Sequence, residues 1–421
     1  MIGVLCQVKK VQPMGRHAVA AGRRSTPNVF RKSLHKTPCS VRGLSVSCHK
    51  AMPFTEADSA SGPRMKAWQT SRYDGVDGLS LCSVRTPAVL DPGDLLVRVH
   101  AASVNPIDTK IIKGYGDKVL NMMRAMDRVK QGTFKEEERK FPLTGGRDFA
   151  GEVVCVGQNV KGVVAGDQVL GVVSPQHQGS HAEYVVTAAC NVCLKPENVS
   201  TEQAASIPYA GLTAWSAVTL TGMVTATTAP QSRVLIIGAS GGVGIFLCQL
   251  LSSWGAEVVG LCSSDAQGMV ASFGVETMDY RDAATKSMLI ADGGFDVVIN
   301  ASGVEDLDYM KALKPWKGAS YVTLTSPLLR NIDDLGMMVG LVKSTKDLLW
   351  RNVTSLSEGR TYKWSFYTPN PCALKQITEM LASQKIRPVV DKVFPFTETP
   401  EAYSYVINGH ARGKTVISMS Q

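Results

Sequence analysis

Nineteen residues constrain this chain more than any others: Arg233-Val-Leu-Ile-Ile-Gly-Ala-Ser-Gly-Gly-Val-Gly-Ile-Phe-Leu-Cys-Gln-Leu-Leu251. Val234–Ile237 is an apolar, β-branched run, short enough for a buried parallel strand. Gly238, Gly241 and Gly244 follow at three-residue spacing, and an apolar helical pattern then begins. A tight strand-to-helix turn of this kind brings backbone N–H groups close to a pyrophosphate, whose charge the helix N-terminus favours. A glycine triplet alone says little. With a strand before it, a helix after it and a second strand at Glu257–Cys262, it predicts a dinucleotide site on the backbone of Ser240, Gly241, Gly242 and Val243. Further apolar runs at Phe295–Asn300 and Ala319–Leu324, with helices over Ala266–Phe273 and Leu307–Leu313, predict a doubly wound α/β unit with a parallel sheet.

The net charge of +9 invites a nucleic-acid reading, so its distribution matters. Residues 1–50 hold ten of the 45 basic residues and no acid, which leaves 35 basic against 36 acidic residues elsewhere. Nucleic acid is therefore dropped as a partner. Arg16, Arg23, Arg24, Arg31, Lys32 and Arg42, set among Ser, Ala and Val, fit a mitochondrial transit peptide. No apolar stretch is long enough for a secretory core or a membrane span. Residues 1–64 are read as transit peptide and linker, and the location as the matrix, with outer-membrane association as the alternative. The cysteines outside this leader sit mostly in apolar runs, as free buried thiols do.

From Met65 the chain reads as short strands punctuated by Gly: Leu95–Val104, Asp148–Gly157 and Val163–Val173. This predicts an antiparallel β domain. Residues 113–141 interrupt it with helix-favouring segments at Met122–Val129 and Glu136–Lys140. Ala101-Ala-Ser-Val-Asn-Pro-Ile-Asp108, Gly146-Arg-Asp-Phe-Ala-Gly-Glu-Val153, Gly166-Asp-Gln-Val169 and Ile207-Pro-Tyr-Ala-Gly-Leu-Thr-Ala-Trp-Ser216 come in order before the glycine loop. Together they resemble the medium-chain dehydrogenase/reductase superfamily, from Met65 to the C-terminus. The zinc branch of that superfamily has Cys within the segment Ser103–Thr109 and a His-Glu pair where this chain has Arg147-Asp148. It also has a lobe of four Cys, which residues 113–141 lack. Tetrahedral ligands for zinc are missing. Cys190-x-x-Cys193 is a single pair, read as strand residues, and no metal is expected.

What remains is similar to the zinc-free quinone oxidoreductase branch. The resemblance implies a GroES-like β-rich catalytic domain, discontinuous over 65–205 and 366–421, and a Rossmann domain over 206–365 with an insertion at 326–362. It also implies hydride transfer from NADPH to a quinone-like acceptor, and a membrane-protein partner of the reticulon kind; a homodimer is a further expectation.

Cofactor choice hangs on the end of the second strand, where an NAD site would carry Asp or Glu to bind the ribose 2′-OH. Ser263 and Ser264 stand there instead, with Asp265 read as opening the next helix. The resemblance places Ser263 and Tyr280 on the 2′-phosphate of NADPH, and Arg281 adds charge of the right sign. Trp364–Tyr367 reads as a cofactor-side strand, and the resemblance also places Leu324, Ser365 and Tyr367 near the nicotinamide, and His410, Ala411 and Arg412 on the phosphate or ribose end.

In the insertion, Leu335, Met338, Val339, Val342 and Leu349 share one helical face. Packing on its own chain is the expectation for that face; a dimer surface and a membrane-surface helix are the alternatives. Asn105, Asp108 and Lys110 are the catalytic candidates, as groups to stabilise a developing oxyanion. Asn105 and Asp108 have an equal claim as residues that tie a turn to its own backbone. The competing function is a cofactor-bound interaction protein with little turnover.

Overall fold

The computed structural model describes residues 62–130, 141–409 and 411–420, all within one unit, Ala57–Gln421. The leader, the Glu136–Lys140 segment and His410 lie outside the described residues.

β1 (Arg64–Thr70) and β2 (Leu79–Arg85) form an antiparallel pair. In β3 (Asp94–Val104), alternation and then a continuous apolar run bury Leu95, Val97, Val99, Ala101, Ala102 and Val104. The strand stops at Asn105 because Pro106 opens α1 (Pro106–Ile111) at its first helical position. α2 (Asp117–Lys130) is the first insertion helix. β4 (Leu143–Thr144) completes a three-stranded sheet with β1. β5 (Asp148–Val156), β6 (Gln168–Val172), β7 (Tyr184–Ala188) and β8 (Val192–Leu194) join the antiparallel sheet around β3. α3 (Thr201–Ala205) and α4 (Pro208–Trp215) lead to the second half.

There β9 (Arg233–Ile237), α5 (Gly242–Ser253), β10 (Glu257–Cys262), α6 (Ser264–Ala271), β11 (Glu276–Asp279), α7 (Ala283–Asp292), β12 (Val297–Asn300) and β13 (Ser320–Thr323) alternate. α8 (Leu328–Leu335) and α9 (Met337–Leu356) precede β14 (Thr361–Trp364). The six strands are all parallel, in the order β11-β10-β9-β12-β13-β14. The order reverses between β9 and β12, the switch point at whose carboxyl side ligands bind in such sheets. After α10 (Pro371–Ala382), β15 (Val390–Pro395) and α11 (Thr399–Ile407), β16 (Lys414–Ser418) pairs antiparallel with β3, so the chain's end returns to its beginning. One hydrophobic cluster joins the halves, packing Ala101, Ala150 and Val416 with Val234 and Phe246.

Three expectations are corrected. The helix over Leu307–Leu313 is a 3₁₀ turn, Leu307–Ala312. The strand expected at Trp364–Tyr367 ends at Trp364. The apolar face of the insertion does not pack on its own chain: Met338 is 73% and Trp350 69% exposed, and Val339, Val342 and Leu349 are also exposed. The face turned inward is polar and small. α9 approaches α8 so closely that a Cβ on Gly340 would lie 2.4 Å from the Asn331 carbonyl. Ser344 Oγ accepts from Asn331 Nδ2 at 2.9 Å, and Asn352 exchanges hydrogen bonds with the Tyr362 backbone. These tethers fix the helix by its polar side. Among the described residues, no helix is long and apolar enough to cross a membrane.

His181 anchors the loop under the first domain. Its Nε2 lies 3.2 Å from the Ser103 carbonyl, which only accepts, so Nε2 carries the proton and Nδ1 accepts the Tyr403 hydroxyl at 3.0 Å. Burial holds the imidazole down to about 4. Between roughly pH 6.5 and 4 the unfolded chain therefore binds a proton that the native ring refuses, and native stability falls as pH drops. His181 should account for ~3 kcal/mol of that fall. Urea unfolding at pH 7 and pH 5 checks it: His181→Gln should flatten the decline relative to wild type, and an equal slope would count against this account.

Candidate active site

The glycine loop has the geometry its sequence predicts. Gly238 sits at φ +84, a backbone conformation that favours glycine. At Gly244 a Cβ would lie 2.1 Å from the Gly238 carbonyl, so only glycine lets α5 start this close to β9. The N-terminus of α5 opens at Gly242, next to Ser240 and to Gly241, whose own N–H donates to the Gly238 carbonyl at 3.2 Å, and a helix N-terminus of this kind favours a pyrophosphate. At the end of β10, Ser263 Oγ is buried with no hydrogen-bond partner among the described residues. This buried hydroxyl, together with the close approach of α5 to β9 that Gly244 permits, fits a dinucleotide.

Asp265 lies in the first turn of α6, and its carboxylate binds Arg412 Nη2 at 2.5 Å and Nε at 3.2 Å. The Ser263 hydroxyl nearby and Arg412 hold that carboxyl down to about 2. Tyr280 is 54% exposed, with the Arg281 guanidinium 5.5 Å from its ring centre.

A cavity of about 560 Å³ opens beside Val243 at the start of α5. It brings together Asn105, Lys110, Val243, Leu324, Ser365 and Tyr367 of the predicted residues. Ser240, Gly241, Gly242, Ser263, Tyr280, Ala411 and Arg412 do not line it. Asp108, only 1% exposed, lies behind the wall. Tyr367 stacks on Tyr209 with ring centres 4.3 Å apart, and Thr221 donates to Ser365 Oγ at 3.1 Å. α2 and α8 contribute Leu120, Met123 and Leu329. The cavity is therefore apolar on its insertion side and polar on its floor.

Two buried ion pairs lie beneath that floor, and of their four charged groups only Arg147 lines the cavity. Asp148 Oδ2 accepts from Ser103 Oγ at 2.5 Å and Asn105 Nδ2 at 2.8 Å, and lies 3.6 Å from Lys414 Nζ. Its other oxygen accepts the Tyr209 backbone N–H. Asp108 Oδ2 accepts the Asn105 backbone N–H at 2.8 Å, while Oδ1 faces Arg147 Nε at 3.7 Å. Asn105 Oδ1 accepts from Lys414. Burial pushes both carboxyls up, opposed by Arg147 at Asp108 and by Lys414 at Asp148. Burial pushes Lys414 down.

The Asn105 amide donates to Asp148 and, at 3.4 Å, to Ser103 Oγ, so both its N–H groups are used inside the protein. Asn105 and Asp108 thus hold the turn and the floor. Lys110 stands exposed at the rim, its Nζ 5.8 Å from the Tyr115 ring centre. Sequence reasoning missed Arg147, Asp148, Tyr209 and Lys414 as site residues. The available signal was charge inside otherwise apolar strands, at Arg147-Asp148 and at Lys414-Thr-Val-Ile. Among the described residues, no group of three or more His, Cys, Asp or Glu side chains is placed to hold a metal ion.

Comparison with known proteins gives consistent matches. The family model "Alcohol dehydrogenase GroES-like domain" matches residues 91–231, and "Zinc-binding dehydrogenase" matches residues 274–417. A Danio rerio protein, "NAD(P)H oxidoreductase RTN4IP1, mitochondrial", is 38% identical over 91% of this chain and 97% of its own length. The Caenorhabditis elegans "Reticulon-4-interacting protein 1, mitochondrial" is 35% identical over 85% of this chain and 96% of its own. The solved quinone oxidoreductase of Coxiella burnetii superposes with a TM-score of 0.65 at 25% identity, covering 85% of this chain and 100% of that one.

The floor generates a stability test. Lys414→Met strands the Asp148 carboxylate in the interior and should cost about 3–5 kcal/mol. Adding Asp148→Asn removes the stranded charge and should recover most of that loss. Urea unfolding of Lys414→Met, Asp148→Asn and the double variant measures the coupling; strictly additive losses would show that the pair is not an interacting unit.

Proposed function

The chain belongs to the medium-chain dehydrogenase/reductase superfamily, in the family of the RTN4IP1 NAD(P)H oxidoreductases, and from that premise we propose that it is a mitochondrial, NADPH-dependent reductase of a quinone or similar electron-poor carbonyl acceptor, working without metal. One observation carries the reading: a single cavity joins Val243, Leu324 and Tyr367, beside the glycine loop and the sheet's switch point, to a floor of buried charge under Asn105. When bound, the dinucleotide supplies a hydride from its nicotinamide ring.

The chain's own residues do the rest. Gly242 and Val243 offer the backbone N–H groups of the helix start to the pyrophosphate, and Ser263 Oγ is the buried hydroxyl for the 2′-phosphate end. Val243, Leu324 and the stacked Tyr209–Tyr367 pair shape an apolar slot for flat rings and keep water from the reacting face. Lys110 gives the rim a positive charge. No metal ligand set stands in this cavity among the described residues, and hydride reduction of a conjugated carbonyl needs none if the oxyanion meets fixed donors.

The exposed face of α9 supports a second reading, a cofactor-bound interaction protein. That apolar face is a surface for a partner, whether a second copy or a membrane protein of the reticulon kind named in the nematode relative.

Stopped-flow oxidation of NADPH, followed by nicotinamide absorbance with a panel of quinones, separates the two. Acceptor-dependent turnover is expected; its absence in protein that binds NADPH tightly would favour the interaction protein. Cofactor preference has its own check. Ser263→Asp places a charge against the 2′-phosphate and should weaken NADPH at least about tenfold relative to NADH. Asp265→Asn frees Arg412 for the phosphate and should move preference the other way. NADH binding as tightly as NADPH in all three proteins would defeat the assignment.

A further inference from the structure

Arg147 is 1% exposed, yet it forms part of the cavity wall beside Asn105 and Tyr209. Only one of its three guanidinium nitrogens is satisfied: Nη1 donates to the Ser174 carbonyl at 2.8 Å and the His177 carbonyl at 3.3 Å. Nε stands 3.7 Å from Asp108 Oδ1, too far for a hydrogen bond, and Nη2 has no acceptor. A guanidinium keeps its charge in any folded protein, so this group cannot escape the cost by losing a proton. Asp108 offsets its charge and leaves the N–H groups unanswered. Buried donors without acceptors are rare, and each one asks for an explanation. Here the explanation is positional, because the group borders the large cavity that Val243, next to the glycine loop, also lines.

On the reading that this cavity takes a conjugated carbonyl acceptor, we infer that Arg147 binds the acceptor's oxygen and neutralises it as it becomes an oxyanion. The acceptor gains a hydride, whose bond to the dinucleotide breaks, and its π electrons move onto oxygen. A proton from solvent then completes the reduced product, while the dinucleotide leaves oxidised. Arg147 gives up no proton. It lowers the energy of the anion between the two transfers, with a charge held in place by Ser174, His177 and Asp108 and therefore needing no reorganisation. The acceptor class follows: one whose oxygen takes the charge, a quinone or an enone, rather than a substrate reduced at a site remote from oxygen.

The test has a readout besides turnover. 4-Nitrophenolate is a flat, stable oxyanion whose spectrum differs from that of its acid. Titrated into the full chain loaded with NADP⁺, it should bind in preference to the neutral phenol, so that bound nitrophenol ionises at lower pH than free. Arg147→Met should abolish that preference and slow single-turnover acceptor reduction about 10²–10³-fold. Arg147→Lys should recover part of both, and NADPH binding should stay near wild type. Because Arg147→Met leaves Asp108 uncompensated, Arg147→Met/Asp108→Asn serves if the single variant does not fold. A wild-type preference, or a wild-type reduction rate, in that double variant overturns the role of Arg147 and leaves the reductase reading standing. Wild type that prefers the phenolate through Arg147 but reduces no carbonyl overturns the reductase reading and keeps Arg147 as an oxyanion site.

Discussion

Asn105 is the joint on which both halves of the molecule rest. Its backbone N–H holds Asp108, its side-chain N–H groups hold Asp148 and Ser103, and its carbonyl oxygen receives Lys414. Four charges are thereby buried together: Asp108 on α1, Asp148 on β5, Lys414 on β16 and Arg147 in the bend before β5. Taking such charges out of water costs several kcal/mol each, and mutual attraction repays this only where the remaining hydrogen-bonding capacity is met. At Asp148 it is met fully, by a hydroxyl, an amide, a backbone N–H and an ammonium. At Arg147 it is not. The contrast separates the two pairs by purpose: one closes the structure, and the other faces the cavity with donors to spare.

The segment Arg412-Gly413-Lys414 connects that floor to the dinucleotide loop. Arg412 reaches Asp265 at the start of α6, Gly413 bridges Gly241, and Lys414 turns inward to Asn105. Gly413 sits at φ +114, where a Cβ would lie 2.5 Å from the Val389 carbonyl. Three consecutive residues thus touch both ends of a dinucleotide site and the chemistry beside it. Pairing of β16 with β3 thus sets the glycine loop and the cavity floor in one register, although the chain has crossed the parallel sheet in between.

What the sequence made legible follows from range. Gly238 and Gly244 answer to residues within the same turn, so their spacing reveals them. The parallel strands are short apolar runs with little else they can be. Lys414 and Arg147 are different. Each is an ordinary charged residue in its local text, and only strand pairing between positions 309 residues apart brings Lys414 to Asn105. The misreading of α9 has the same origin. Helical periodicity finds an apolar stripe, but it cannot say which side turns inward, and here Gly340, Ser344 and Asn352 fit the neighbouring backbone better than the stripe does.

The two cationic sites also differ in how they handle charge, and this bears on what each recognises. Arg412 is partly exposed and already paired with an exposed carboxylate, so solvent screens the pair and a phosphate arriving there exchanges one anion for another at modest cost. Discrimination at that end therefore depends on competition between Asp265 and the ligand. Arg147 has no such exchange available. It is out of water, held by the Ser174 and His177 carbonyls, and its partner Asp108 is held on α1 by the Asn105 backbone. An anion that forms beside it meets a field already in place, in surroundings where water competes little. A rigid, desolvated cation suits charge that exists only during reaction; an exposed, paired one suits charge that arrives with the ligand. The first borders the cavity and the second lies beyond the glycine loop, a division of labour that suits the proposed hydride-transferring reductase.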